Sequence, residues 1–174
     1  MKRIVSVILI AVLAVSVLAS CRETDITKTE GGEKTAVKEY VSDKAADDVM
    51  AAAITAVSTA AELSEIDEMY FQYMIKVTAE NAESYSIKLQ PNGTTLDEVG
   101  IIKAASGKAD SAQAEIKAYL AERNAAWTGL YLTEEYPKLK DAEVKVYGDY
   151  VVYAILSESE KAAFFAAAEN AVTK

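Results

Sequence analysis

The stretch from Val144 to Leu156 constrains this chain most, because two apolar runs there are joined only by Gly148-Asp149. A two-residue link of that composition is a tight hairpin turn, and a tight hairpin imposes antiparallel pairing. With such a turn Tyr147 faces Tyr150 and Val146 faces Val151. A second hairpin is expected upstream. In Tyr85-Ser86-Ile87-Lys88-Leu89 apolar and polar residues alternate, as in a half-buried strand. Pro91-Asn92-Gly93 supplies a turn, lengthened by Thr94 and Thr95, and Glu98 to Ala104 reads as the returning strand.

Helical spacing appears on either side of these hairpins. The first helix has Ser42 and Asp43 as candidate caps and Asp47-Asp48 in its early turns. Met50, Ile54, Val57 and Ala61 share one of its sides, most other positions are alanine, and it should end near Leu63. Residues 65–81 read as a connection with room for one short helix. The longest helix is expected over Ser111 to Leu130, capped by Asp110, with Ile116, Leu120, Trp127 and Leu130 as its stripe. Tyr136-Pro137 then marks a loop. The last helix opens on Ser157 and Glu160 as a capping-box pair and buries Phe164 or Phe165, Ala168 and Val172. The expected fold is α+β: a four-stranded antiparallel sheet from two hairpins, helices on one face, in the order α-β-β-α-β-β-α.

The start of the chain carries an address. Lys2 and Arg3 precede a fifteen-residue apolar run from Ile4 to Leu18, broken only by Ser6 and Ser16. That is shorter than the roughly 20 residues of a spanning helix, and it has the charge, core and small-residue end of a signal peptide. Leu18-Ala19-Ser20-Cys21 resembles the bacterial lipobox, which implies diacylglycerol on the sulfur of Cys21 and cleavage before it. Cys21 is the only cysteine, so no intramolecular disulfide can form. Two acyl chains meet the requirement for stable anchoring. The expected organisation is a cleaved signal over residues 1–20, a lipidated cysteine and tether over 21–41, and a single α+β domain over 42–174. The tether, rich in Thr, Glu and Lys, would span roughly 25 Å as a flexible coil.

Composition then narrows the chemistry. Of 18 basic residues Lys2 and Arg3 leave with the signal, so 16 remain against 27 acidic ones. Such a balance disfavours nucleic acid as a partner. The chain has no histidine, which removes Ser-His-Asp and Cys-His relays and His-ligated metal sites. Gly31-Gly32 opens no helix after a strand, so no phosphate-cradling loop is expected. Neither a metal nor a cofactor is expected.

The remaining candidates are weaker. Asp47-Asp48, Glu65/Asp67/Glu68, Glu134-Glu135 and Glu158/Glu160 are acidic clusters, which two-carboxylate hydrolysis or calcium binding would use. None has EF-hand spacing, and acids belong at helix starts in any case. Arg123 is the only arginine beyond the tether and lies on or beside the stripe of its helix. It reads either as an anion receptor or as a side chain pairing with a glutamate at the rim. Trp127, Tyr131 and Tyr136, and the turn-flanking Tyr147 and Tyr150, are candidates for stacking on wall sugars or anchoring an interface. Cross-strand pairing and core packing account for the same rings.

The element order and several local stretches resemble a family of small bacterial lipoproteins carrying domain of unknown function 4358. The stretches are the acidic Ala-rich helix at Asp47-Asp48, Asp97-Glu98-Val99-Gly100-Ile101-Ile102-Lys103, Glu115-Ile116-Lys117 with Glu122-Arg123, and Leu139-Lys140-Asp141-Ala142 through Gly148-Asp149-Tyr150-Val151. The resemblance implies Gram-positive relatives and an extracytoplasmic role, and it carries over no catalytic residue. The resulting expectation is a noncatalytic binding or accessory module, held to the membrane by lipid on Cys21, with an envelope protein or wall component as partner. A carboxylate-dependent hydrolase of wall polymers is the alternative.

Overall fold

A computed structural model describes residues 38–41 and 43–174. The signal segment, Leu18-Ala19-Ser20-Cys21, the rest of the expected tether through residue 37, and Ser42 lie outside the described residues. Residues 38–41 are tied to the end of the chain. Tyr40 bridges Thr173, and the Val41 amide donates to the Val172 carbonyl at 2.7 Å.

The sheet has five strands: β1 (Ser64–Glu65), β2 (Ala82–Leu89), β3 (Glu98–Ala104), β4 (Glu143–Tyr147) and β5 (Tyr150–Ile155). Every pairing is antiparallel, and the order is β1-β2-β3-β5-β4. The fifth strand is a correction to the expected four. Its two residues, both polar and exposed, pair with Lys88 and Leu89 and have no periodicity to announce them. Both expected hairpins form, with Tyr147 opposite Tyr150 and Val146 opposite Val151. Gly148 makes the second turn at φ +61°, and a Cβ there would lie 2.9 Å from that of Tyr40. Only glycine suits both the backbone and the neighbour.

The helices cover both faces of the sheet, not one. On one face α1 (Ala46–Ala53) and α5 (Glu158–Val172) pack on Val99, Ile101, Tyr150, Val152 and Ala154. On the other, α3 (Ala109–Ala125) packs on Ile102, Val151, Tyr153 and Ile155. Here α3 is joined by α2 (Glu68–Tyr70), which runs on into a π-helical turn over Phe71–Ile75. The physical reason lies in the strands: β3 and β5 are buried at every position, and neither has the polar face that a one-sided sheet shows to water.

Several boundaries also move. Ala45, not Asp43, is the N-cap of α1, and the Ala46 amide donates to Ser84 Oγ on β2 instead of to its own cap. That helix gives way to 3₁₀ turns at Ile54–Ala56 and Ala60–Glu62. α3 starts after Lys108 without a side-chain cap and stops at Ala125, so Leu130 lies beyond its stripe and is exposed. Pro137 falls in the first turn of a short α4 (Tyr136–Lys140), where its missing N–H costs nothing. Ser157 is the N-cap of α5, but its hydroxyl donates to Glu160 at 2.8 Å and makes no backbone cap.

Candidate functional site

Glu98 opens β3 and is fully buried on the α3 face. A carboxylate there needs partners, since an unpaired buried charge costs several kcal/mol. Three side chains supply them. Tyr153 on β5 donates its hydroxyl to Oε1 at 2.7 Å. Tyr119 on α3 donates its hydroxyl, which lies 2.9 and 3.1 Å from the two carboxylate oxygens. One helical turn on, Arg123 brings Nη1 to Oε2 and also donates to the Tyr119 oxygen at 3.0 Å.

The strand leaves room for this arrangement at Gly100. That residue stands directly opposite Tyr153, and a Cβ on it would lie 2.0 Å from Cε1 of the ring. Without one, the Tyr153 ring lies across β3 and its hydroxyl reaches Glu98, two residues earlier. The electrostatics agree with the geometry. Burial, then the charge of Glu98, pushes the Tyr119 and Tyr153 phenols well above the ordinary tyrosine value. For Arg123 burial works against the charge, yet Glu98 and the neighbouring tyrosines outweigh it and raise the guanidinium above its ordinary value. The guanidinium therefore stays charged across the neutral range.

Above Arg123 lies a cavity of about 290 Å³. Tyr70, Tyr73 and Met74 form one wall, and Tyr119, Glu122 and Arg123 of α3 form the other. The π turn builds the first wall. Its Lys76 amide bonds back to the Phe71 carbonyl at 2.9 Å, and Lys76 ends it in the left-handed region at φ +62°. Such turns recur at functional sites, because the wide winding re-aims side chains. Phe71 stacks on Tyr85 of β2 at 3.7 Å and Ile75 is buried, which fixes the inner side of the segment. The outer side keeps Met69, Tyr73 and Met74 in solvent, Tyr73 at 70 %. Lys76 reaches across to Glu122 at 2.6 Å and closes the rim. Among the described residues Nη1 makes every hydrogen bond that Arg123 donates, so Nε and Nη2 are without protein partners.

The four residues singled out from sequence do not form one site. Arg123 lines the cavity, and its glutamate partner lies in the core, not at the rim. Trp127 follows α3 and stacks on Tyr136 at 5.6 Å, outside the cavity wall. Tyr147 and Tyr150 belong to the opposite face. There Tyr147 packs on Tyr40, and the Tyr150 hydroxyl donates to the Lys44 carbonyl and accepts from its amide. The acidic clusters serve helix ends and ion pairs: Asp67 caps α2, Glu135 holds Lys138, and Glu158 holds Lys161. Among the described residues no group of three or more Asp or Glu side chains is gathered as a metal would need, and no helix is long and apolar enough to cross a membrane.

Sequence reasoning missed Glu98, Tyr119, Tyr153 and the Tyr70–Met74 wall. The available signals were a carboxylate beginning an otherwise apolar strand, and a tyrosine four residues before the lone domain arginine.

A family described as Domain of unknown function (DUF4358) matches residues 55–156. The chain belongs to this family. The DUF4358 match takes in Glu98, Tyr119, Arg123, Tyr153 and the whole cavity wall, while α1 and α5 fall outside it. No curated protein and no solved structure matches the chain.

Proposed function

We propose that this DUF4358 protein is a noncatalytic binding module, held to the outer face of a bacterial membrane by lipid on Cys21. Its cavity beside Arg123 meets an envelope component. One observation carries the binding reading: an arginine held through Nη1 by a buried glutamate lines a cavity with Tyr70, Tyr73 and Tyr119, and its Nε and Nη2 are without protein partners among the described residues. Donors fixed in advance beside apolar surface are what a recognition site requires. The one carboxylate in the cavity wall, Glu122, is engaged by Lys76. Two-carboxylate hydrolysis needs a facing pair with different protonation states. The anchor rests on Leu18-Ala19-Ser20-Cys21 directly after a fifteen-residue apolar run.

Two measurements test the parts separately. Cys21→Ala should move the protein from the membrane fraction to the soluble one, and unchanged detergent partitioning would sink the anchor. That soluble variant should bind isolated envelope material saturably, with binding lost on Tyr73→Ala and on Arg123→Lys. Absent binding, or binding indifferent to both changes, would remove the cavity from the reading.

A further inference from the structure

We infer that the cavity at Arg123 takes an uncharged saccharide, one or two pyranose units at a time, seated against Tyr73. This rests on the binding reading above and names its ligand class. The first argument is charge. The site holds two cations and two carboxylates, already matched as Arg123 with Glu98 and Lys76 with Glu122. A carboxylate or phosphate ligand wants an uncompensated cation, and here it would meet Glu122 at the rim as well. The chain around the site is acidic overall.

The second argument is the mixture of surfaces. Tyr70, Tyr73, Tyr119 and Met74 give the cavity an apolar lining, while Arg123 offers Nε and Nη2 as donors and Glu122 adds an acceptor at the rim. A purely apolar occupant would bury the Arg123 donors without partners, which is unfavourable. A pyranose ring answers both surfaces, with a C–H face for a tyrosine ring and hydroxyl or acetamido oxygens for the guanidinium. The third argument is size. At about 290 Å³ the cavity is at the small end of ligand sites, enough for one or two sugar rings and too small for a folded partner's loop.

The test is calorimetric titration of the full chain in detergent micelles with tri-N-acetylchitotriose, beside trigalacturonate as a charged probe of similar length. The neutral probe should bind with a Kd on the order of 0.1–1 mM, as expected for a small hydrated ligand in a shallow site. Raising the salt from low to high should change that value less than about twofold, because no charge is neutralised. Tyr73→Ala and Arg123→Lys should each weaken it about tenfold or more, and Tyr131→Ala, an exposed ring outside the cavity wall, by less than about twofold. Since Tyr73 is largely exposed, its replacement leaves the core intact. No heat with the neutral probe, binding untouched by Tyr73→Ala, or salt-sensitive preference for trigalacturonate would each overturn the inference. If envelope material still binds through Tyr73 in that case, the binding reading stands and only the saccharide falls. If it does not, both fall.

Discussion

On the face covered by α1 and α5, the sheet meets small and fully buried side chains: Ala46, Ala53 and Ala168 on the helices, and Ala154 on β5. On the face covered by α3, the same two central strands deliver Glu98 and Tyr153 into a charged network under a cavity. Alternation along β3 and β5 makes the two faces strict neighbours, so they share a backbone and differ only in side chains. The alanine face lets helices approach closely, and of its strand cations Lys103 pairs with Glu83 and Lys145 covers the Phe165 ring. The α3 face carries an ion pair whose desolvation offsets much of its attraction. A fold selected for stability alone gains little from that arrangement. A fixed donor array facing a cavity gains a great deal from it.

The largest effect should come from breaking the pair. Arg123→Ala leaves Glu98 buried without its cation, and a change of that kind costs about 3–5 kcal/mol. Urea unfolding at neutral pH measures it. Replacing the whole group, Glu98→Leu and Arg123→Leu together with Tyr119→Phe and Tyr153→Phe, should recover most of the loss, because a buried ion pair replaced by apolar residues is often neutral in stability and no hydroxyl is then left without its acceptor. If Arg123→Ala proves as mild as a surface change, the two faces are energetically alike and the contrast fails.

Gly100 sharpens the contrast within a single residue pair. Gly100→Ala puts a methyl where the Tyr153 ring now lies, and overpacking of this sort costs about 1–3 kcal/mol. The same substitution in a Tyr153→Ala background should cost much less, so the double-mutant cycle reads the coupling directly. A coupling near zero would mean that the ring moves freely and does not hold Glu98.

The contrast also explains what the sequence made legible. Both hairpins were readable, because Gly148-Asp149 and Pro91-Asn92-Gly93 impose turns through local backbone chemistry. The second face was not. A run such as Tyr150 to Ile155 fits a strand covered on one side or on both, and only the packing of distant helices decides. β1 has two polar residues and no pattern at all. Arg123 stood out by being alone, but Glu98 passed as an ordinary acid next to Asp97. Its partners come from α3 and β5, brought together only by the tertiary fold. Tyr147 and Tyr150 drew attention as a paired turn motif, and the structure buries both against the start of α1 and its approach.

On the alanine face the corresponding test is Tyr150→Phe. The lost hydroxyl leaves the Lys44 amide and carbonyl without their side-chain partner, and a loss of about 1 kcal/mol is expected by denaturant titration. That is well below the Arg123→Ala effect, because no charge is stranded. A loss equal to that of Arg123→Ala would place the structural weight of the domain on the face opposite the cavity.

The smallest effect concerns pH and belongs to the rim of the alanine face. Glu160 of α5 accepts from the Ser58 hydroxyl at 2.5 Å, the Ser58 amide at 3.1 Å and the Ser157 hydroxyl at 2.8 Å. The Ser58 hydroxyl, ahead of the opposing effect of burial, holds its carboxyl below the ordinary glutamate value. A depressed carboxyl contributes stability above its unfolded pKa of about 4.3, and that contribution is lost as pH falls through the lower folded value. Glu160→Gln should therefore flatten the acid limb of a stability-versus-pH curve below about pH 4.3 while leaving its neutral part nearly level. An acid limb with the same slope in the variant would mean that the carboxylate is not held by Ser58 in solution. The link between α5 and the turn after α1 would then be packing alone.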